Sequence, residues 1–336
     1  MADGICKVPR VYQSCANLDG AACRCERIRR DIETQVREWI EYAVAWAVLH
    51  SLGMLPRGMA RAVGATVALT FYRLQPRLER AALFNLKLAF PDMTGADARS
   101  TARRLMRHIG WMGGEFSQFP RHTAESIRRV ITIDGMENYQ AAKARGKGLI
   151  YLTGHMGAWE LAPFAQALNG HPLNFLVRPV ENRRVNGLVD RYRSLAGNRT
   201  IDKNESVREM LRILRENGDV GVLMDVNSSV DEGVFVPFFG IPACTSSGVA
   251  RLALRTDCAV MPGYVYWSDA ERRYHLQLDP AIPLVRSGDT EADVVANTAR
   301  FVEVFEQYAR RYPDQWLWVH KRWKTRPPGE PPLYPF

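Results

Sequence analysis

Residues 148–168, GLIYLTGHMGAWELAPFAQAL, decide the fold. Leu149 to Leu152 make a short apolar run that ends at Thr153, Gly154 and Gly157 permit a tight turn, and a helical pattern starts near Ala158. The same alternation recurs downstream. LNFLVR (173–178) precedes RRVNGLVDRYRSLA (183–196), VGVLMD (220–225) precedes a loop and GVARLALRT (248–256), and AVMPGYVYW (259–267) with YHLQLDP (274–280) precedes VVANTARFVEVFEQYARRY (294–312). Strand followed by helix, repeated, implies an α/β fold: a mixed sheet flanked by helices, with its functional crevice beyond the carboxyl ends of the strands.

Upstream the texture is helical. Residues 76–145 are charged and helix-like, with breaks at Pro91 and Gly95. Before them, Trp39 to Leu55 (WIEYAVAWAVLHSLGML) is apolar over about the minimum length for a bilayer span, and a second apolar run covers Ala60 to Leu74. Glu41 and His50 interrupt the first run, Arg27, Arg29, Arg30, Arg37, Arg57 and Arg61 flank it, and Trp39 and Trp46 suit headgroup depth. The expected division is a polar, disordered leader at 1–37, hydrophobic membrane-attachment helices at 38–75, the α/β domain at 76–327 and a Pro-rich tail at 328–336. Buried core helices are the alternative for 38–75.

The 336 residues, 46% hydrophobic and 24% charged, exclude disordered and fibrous classes. A formal charge of +9 favours an acidic partner. Nucleic acid is disfavoured, because no recognition-helix, zinc-finger or ribonucleoprotein pattern is present. Cys6, Cys15, Cys23 and Cys25 crowd the leader without the paired C-x2-C spacing of structural zinc sites, so no metal is expected. No signal peptide is visible in the first thirty residues, so the catalytic body is expected to stay in the cytoplasm.

His155 falls in the turn at a strand's carboxyl end, with Glu160 in the first turn of the following helix. In a continuous helix a five-residue offset would set the two side chains about 140° apart, but flanking glycines let the turn fold the imidazole back toward the carboxylate. Such a pair suits activation of an alcohol: a base removes the hydroxyl proton, and a carboxylate fixes the imidazole tautomer and steadies the imidazolium. Amides at the adjoining helix start can hold an oxyanion or a phosphate. A lone histidine is more often structural; H-x4-E between glycines after a strand is moderately specific.

FNLKLAFPD (84–92), GHMGAWE (154–160), Arg178-Pro179, GVLMD (221–225), VFVPFFGIPACTSSGVARLAL (234–254) and WLWVHKRWKTRP (316–327) together are far more specific. On these motifs the chain, from Glu38 to Pro327, resembles the lipid A biosynthesis acyltransferases. These late acyltransferases add secondary acyl chains to lipid A precursors and lie within the H-x4-D/E glycerolipid acyltransferase group. The resemblance implies His155 as base, Glu160 as its partner, and acyl transfer from acyl carrier protein to a lipid acceptor at the cytoplasmic face of a bacterial inner membrane. No cofactor and no covalent acyl-enzyme are implied. One departure bears on the acceptor: where members that act on lipid A tend to have an Asp-Gln-Asp-like run, this chain reads Asp225-Val226-Asn227. Ornithine lipids, mannosylated phosphoinositides and lysophospholipids stay open as acceptors, and a non-catalytic membrane-surface binding protein of the same fold is the rival from another class.

Other candidates follow from position. Arg178 ends the second strand and can grip an acceptor phosphate, or belong to a surface ladder with Arg183 and Arg184. Asp225 ends a strand at the functional edge and can bind acceptor hydroxyls or cap a loop. Phe238 and Phe239, with Phe235, are candidates for the wall of an acyl-chain tunnel, with core packing as the commoner reason for such a cluster. Thr245-Ser246-Ser247 reads as a helix N-cap, and Trp316, Trp318 and Trp323 among Lys321, Arg322, Lys324 and Arg326 suit a headgroup-level surface.

Overall fold

The computed structural model describes the backbone of residues 20–202 and 206–336 and the side chains of 31–202 and 207–336. Its helices are α1 (Gly20–Met54), α2 (Arg57–Leu74), α3 (Pro76–Ala89), α4 (Gly95–Ser117), α5 (Ala124–Ile127), α6 (Met136–Ala144), α7 (Leu161–Leu168), α8 (Arg183–Ser194), α9 (Ser206–Arg215), α10 (Gly248–Thr256) and α11 (Thr290–Arg311). The strands are β1 (Ile131–Asp134), β2 (Leu149–Thr153), β3 (Asn174–Val177), β4 (Arg199–Asp202), β5 (Asp219–Leu223), β6 (Gly233–Phe238), β7 (Ile241–Ser246), β8 (Ala259–Ser268) and β9 (Arg273–Leu278).

Among the described residues one seven-stranded sheet runs in the order β1-β9-β8-β2-β5-β3-β4. The five strands from β8 to β4 are mutually parallel, while β9 pairs antiparallel with β8 and carries β1 parallel to itself, so the sheet is mixed as expected. β2 is apolar throughout because both faces of the sheet are covered. Ile150 and Leu152 join the core under α2, α3, α4 and α9 to α11; Leu149 and Tyr151 join the other, under α6, α7 and α8. This alternation is the period of a strand buried between two helical layers.

Several elements escaped the sequence reading. β1 and β4 are four-residue edge strands, and β6 and β7 form a separate antiparallel hairpin where a loop was expected. Thr245 and Ser246 belong to β7, so the expected cap is mostly absent: Ser247 precedes α10 but makes no side-chain capping bond and donates instead to the Glu232 carbonyl. The breaks at Pro91 and Gly95 do occur, between α3 and α4, where Thr94 caps α4 through the Asp97 amide.

The N-terminal helices lie against the α/β body. Asn182, the N-cap of α8, donates to the Glu38 carbonyl at 2.9 Å and to the Glu41 carboxylate at 2.8 Å, and the Arg184 guanidinium stacks on Trp39. α1 begins at Gly20, inside the expected leader, and Cys6, Cys15, Cys23 and Cys25 fall outside the described side chains. Among the described residues no helix is long and apolar enough to cross a membrane. What α1 and α2 do show is an exposed apolar stripe at four-residue spacing: Ile32, Val36, Ile40, Val44 and Val48 on α1, then Met59, Val63, Val67 and Phe71 on α2.

α2 and α4 cross in near-backbone contact. A Cβ on Gly110 would come within 2.4 Å of the Gly64 carbonyl oxygen, and one on Gly114 within 2.9 Å of the Ala60 carbonyl. Gly113, on the same helix, has open space around it. Gly110→Ala should therefore destabilise the protein by ~1–3 kcal/mol through enforced separation of the helices, whereas Gly113→Ala should not lower the denaturation midpoint. Equal midpoints for the two variants in a urea titration would refute the contact.

Candidate active site

The loop after β2 is built for close approach. A Cβ on Gly154 would lie 2.9 Å from the Trp316 ring and 3.1 Å from the Asp225 carboxyl carbon, and Gly157 takes a left-handed φ of 55° against the Val265 carbonyl. Only glycine fits both demands. Between them, His155 is held on two sides. Its backbone amide donates to Asp225 Oδ2 at 2.9 Å, and its Nδ1 lies 2.8 Å from Asp225 Oδ1. Because a carboxylate only accepts, Nδ1 carries the proton and Nε2 is the basic nitrogen. No described group bonds to Nε2, the side chain is 26% exposed, and Trp159 packs edge-on against the ring.

Asp225 reaches His155 because β2 and β5 are parallel neighbours whose carboxyl ends are level: Thr153 pairs with Leu223, and the Met224 amide donates to the Thr153 carbonyl. The carboxylate is buried, which by itself raises its pKa, but the His155 charge, the two His155 hydrogen bonds and the Arg322 charge outweigh burial and hold it below the usual carboxylate range. Burial likewise pushes the His155 imidazole down, while Asp225 and, at longer range, Glu160 push it up and win.

Glu160 was expected to orient His155, and in the structure it does something else. Its carboxylate takes a two-pronged bond from Arg193 of α8, Nη2 to Oε1 at 2.6 Å and Nε to Oε2 at 3.0 Å, and acts on His155 only through space. The hydrogen-bonded partner of the imidazole is Asp225, a residue singled out for acceptor hydroxyls. Arg193 gave no signal in the sequence beyond being one more arginine on a surface-patterned helix.

The C-terminal segment closes the site from the other side. Trp316 bridges Met156, the Leu317 amide donates to the His155 carbonyl, and the Gly157 amide donates to the Gln315 carbonyl. Trp316, Trp318 and Trp323 are consequently buried, which corrects the expected headgroup-level surface: their indoles are core, and Asn85 of α3 pins the segment by donating to the Trp318 and His320 carbonyls. Arg322 is buried too. Burial pushes its guanidinium down to about 10, Asp225 pulls it up, and it donates to the Cys244 carbonyl at 2.9 Å and to Thr245 Oγ1. His320 accepts the Asn227 amide on Nε2, as a neutral ring does, and burial lowers its pKa.

Of the remaining candidates, Arg178 is exposed just beyond β3, at the same end of the sheet as His155, with Arg183 also exposed. Phe238 and Phe239 are buried, the first against Trp316 and Trp323, the second against Phe90 and Trp318. The cavity beside Phe238, Asp225 and His320 has a volume of about 10 Å³, smaller than an acyl chain. No group of described residues could hold a metal ion.

A histidine with one nitrogen fixed by a buried carboxylate and the other open, at the carboxyl edge of a parallel sheet, is the equipment of an enzyme that activates a hydroxyl by general-base chemistry. Comparison with known proteins gives the family. The model for bacterial lipid A biosynthesis acyltransferases matches residues 30–325, and the chain belongs to that family; it is an acyltransferase, and the family implies a lipid acceptor. The chain is similar to two Escherichia coli enzymes. It is 23% identical to the lipid A biosynthesis palmitoleoyltransferase over 88% of this chain and 94% of the relative. It is 24% identical to the lauroyltransferase over the same shares. It is also 26% identical to a phosphatidylinositol mannoside acyltransferase of Mycobacterium tuberculosis, over 60% of this chain and 62% of the relative.

The pair has a titration signature. In the folded protein the His155 pKa should exceed the ordinary ~6.5. The stability it contributes is then complete below that value and lost as pH rises through the raised one. In Asp225→Asn the main upward pull is gone while burial remains, so the His155 pKa should fall. NMR titration of the ring protons reads this directly, and an unchanged pKa in the variant would refute the pairing.

Proposed function

We propose that this chain moves a fatty acyl group from acyl carrier protein to a hydroxyl of a lipid A-type precursor, working at the cytoplasmic face of a bacterial inner membrane. The observation that carries the reading is the open Nε2 of His155, with Nδ1 tied to Asp225. Nε2 takes the acceptor's hydroxyl proton as its oxygen attacks the thioester carbonyl. Asp225 steadies the imidazolium, which then returns the proton to the departing thiolate as the C–S bond breaks. Glu160, fixed by Arg193, adds negative potential at the imidazolium and positions the start of α7. Arg178, with Arg183, offers cations to an acceptor phosphate, and Phe238 and Phe239 back the region where the acyl chain would lie.

A mannosylated phosphoinositide acceptor is the second reading. The mycobacterial relative favours it, as does the Asp225-Val226-Asn227 run, whose Asn227 is occupied by His320 and Thr325. With labelled acyl carrier protein, wild type should acylate a lipid A precursor, and His155→Ala and Asp225→Asn should each lower turnover by ~10²-fold or more. Transfer to a mannosylated phosphoinositide or a lyso-ornithine lipid, with none to the precursor, would overturn the lipid A reading; wild-type turnover in His155→Ala would overturn the chemistry.

For attachment, the exposed stripe on α1 and α2 is an apolar face of the kind that lies in a bilayer interface. Val67→Asp with Phe71→Asp should shift the protein from the membrane pellet to the soluble fraction at constant fold. Retention of the double variant in the pellet through a high-salt wash would argue that this face is not the anchor.

A further inference from the structure

Beside the α2–α4 contact lies a groove of about 460 Å³ lined by Leu69, Ala96, Ser100 and four arginines, Arg99, Arg103, Arg104 and Arg107, and not by His155. Arg99, Arg103 and Arg107 are spaced at four residues, so they line one face of α4 over ~12 Å. Like charges at that spacing repel. Only Arg104 has a carboxylate partner among the described residues, Asp314 at 3.0 Å. The Nε of Arg107 is buried with no hydrogen-bond partner among the described residues, although an N–H placed there normally has one. Arg99 and Arg103 are exposed at the groove's rim and the Arg107 guanidinium lies over the Trp111 ring at 5.1 Å, so a concave site lined by guanidiniums that, Arg104 apart, have no carboxylate partner among the described residues calls for an anion that enters the groove. Guanidinium forks match phosphate oxygens in a two-pronged manner.

The position of the groove says which phosphate. On α2 the exposed residues Thr66, Thr70 and Arg73 occupy the sector between Leu69 in the groove and the apolar stripe of Val63, Val67 and Phe71. Leu69 lies across α2 from Val67 and Phe71, so a molecule resting on that stripe, as the attachment reading above requires, holds the groove about one helix diameter, ~10 Å, above the apolar contact, on the headgroup side. We propose that the α2–α4 groove is a binding site for the phosphate headgroup of an anionic lipid, separate from the catalytic histidine. It rests on that attachment reading for the source of the phosphate but not for its chemistry. Arg99, Arg103 and Arg107 grip the phosphate, and Asp314 holds Arg104 in place at the groove wall.

Calorimetric titration of the full chain with monomeric dihexanoylphosphatidic acid tests the site without a bilayer. Wild type should bind one molecule, and Arg99→Gln with Arg103→Gln, both exposed positions, should weaken binding at least ~10-fold. Removal of the same charge elsewhere, Arg208→Gln with Arg255→Gln on α9 and α10, should change it less than about twofold if the site and not the net charge is responsible. Equal losses in the two double variants, or none in the first, would overturn the proposal. So would inorganic phosphate binding as tightly as the lipid, which marks a free-phosphate site. Unchanged lipid binding with weakened binding of an acidic carrier protein would also overturn it, since the groove would then be a protein dock. Val67→Asp with Phe71→Asp should leave the monomeric lipid bound while reducing attachment to phosphatidylcholine vesicles containing phosphatidic acid. If vesicle attachment survives that change and monomer binding still depends on Arg99 and Arg103, the attachment reading fails and the phosphate site stands.

Discussion

A buried carboxylate must be surrounded by donors and positive charge or it will not stay ionised, and much of the site's architecture follows from meeting that requirement at Asp225. Two of its hydrogen bonds come from His155, one from the backbone and one from the ring. The charge of Arg322 supports it from the other side. Arg322 is itself buried without a salt-bridge partner among the described residues, so its N–H groups require carbonyls and a hydroxyl, which the β6–β7 hairpin supplies through Cys244 and Thr245. The hairpin, the C-terminal segment and the β2 loop are thus coupled through one chain of charge: imidazole, carboxylate, guanidinium.

This coupling explains why the segment around Trp316 to Trp323 is core. It brings Arg322 within reach of Asp225, and it covers the site with indoles whose burial excludes water from the carboxylate. The same enclosure strengthens the attraction between Asp225 and the imidazolium that forms during proton transfer, since charges interact more strongly out of bulk water. Asn85 fixes the segment from α3, so the helical N-terminal half contributes to the geometry of the catalytic half.

The charged residues divide into separate jobs. Glu160 is held by Arg193 beside the site, Glu115 by Arg57 in the helical layer, and of the four arginines of the α4 groove only Arg104 has a carboxylate partner among the described residues. A net charge of +9 is therefore not spread evenly in its consequences. Part of the excess lies in that groove, on the side of α2 away from its exposed Val63, Val67 and Phe71.

The sequence by itself determined the central strands β2, β3, β5, β8 and β9, the helices α7, α8, α10 and α11, and the place of His155. Strand and helix periodicity are local, and a histidine between glycines at a strand's end has few places to go. It also carried the family, because six separated motifs together are specific. Which carboxylate meets the imidazole was decided only by tertiary structure. Glu160 is near in sequence but turns to Arg193; Asp225 is far in sequence but ends the strand that lies beside β2. Strand order is fixed by how helices pack on both faces of the sheet, and no local pattern encodes it. The tryptophans of the C-terminal segment mislead for the same reason. Amphipathic indoles among cations fit a membrane surface or a buried charge network equally well in sequence, and the buried Asp225 with its need for Arg322 selects the second.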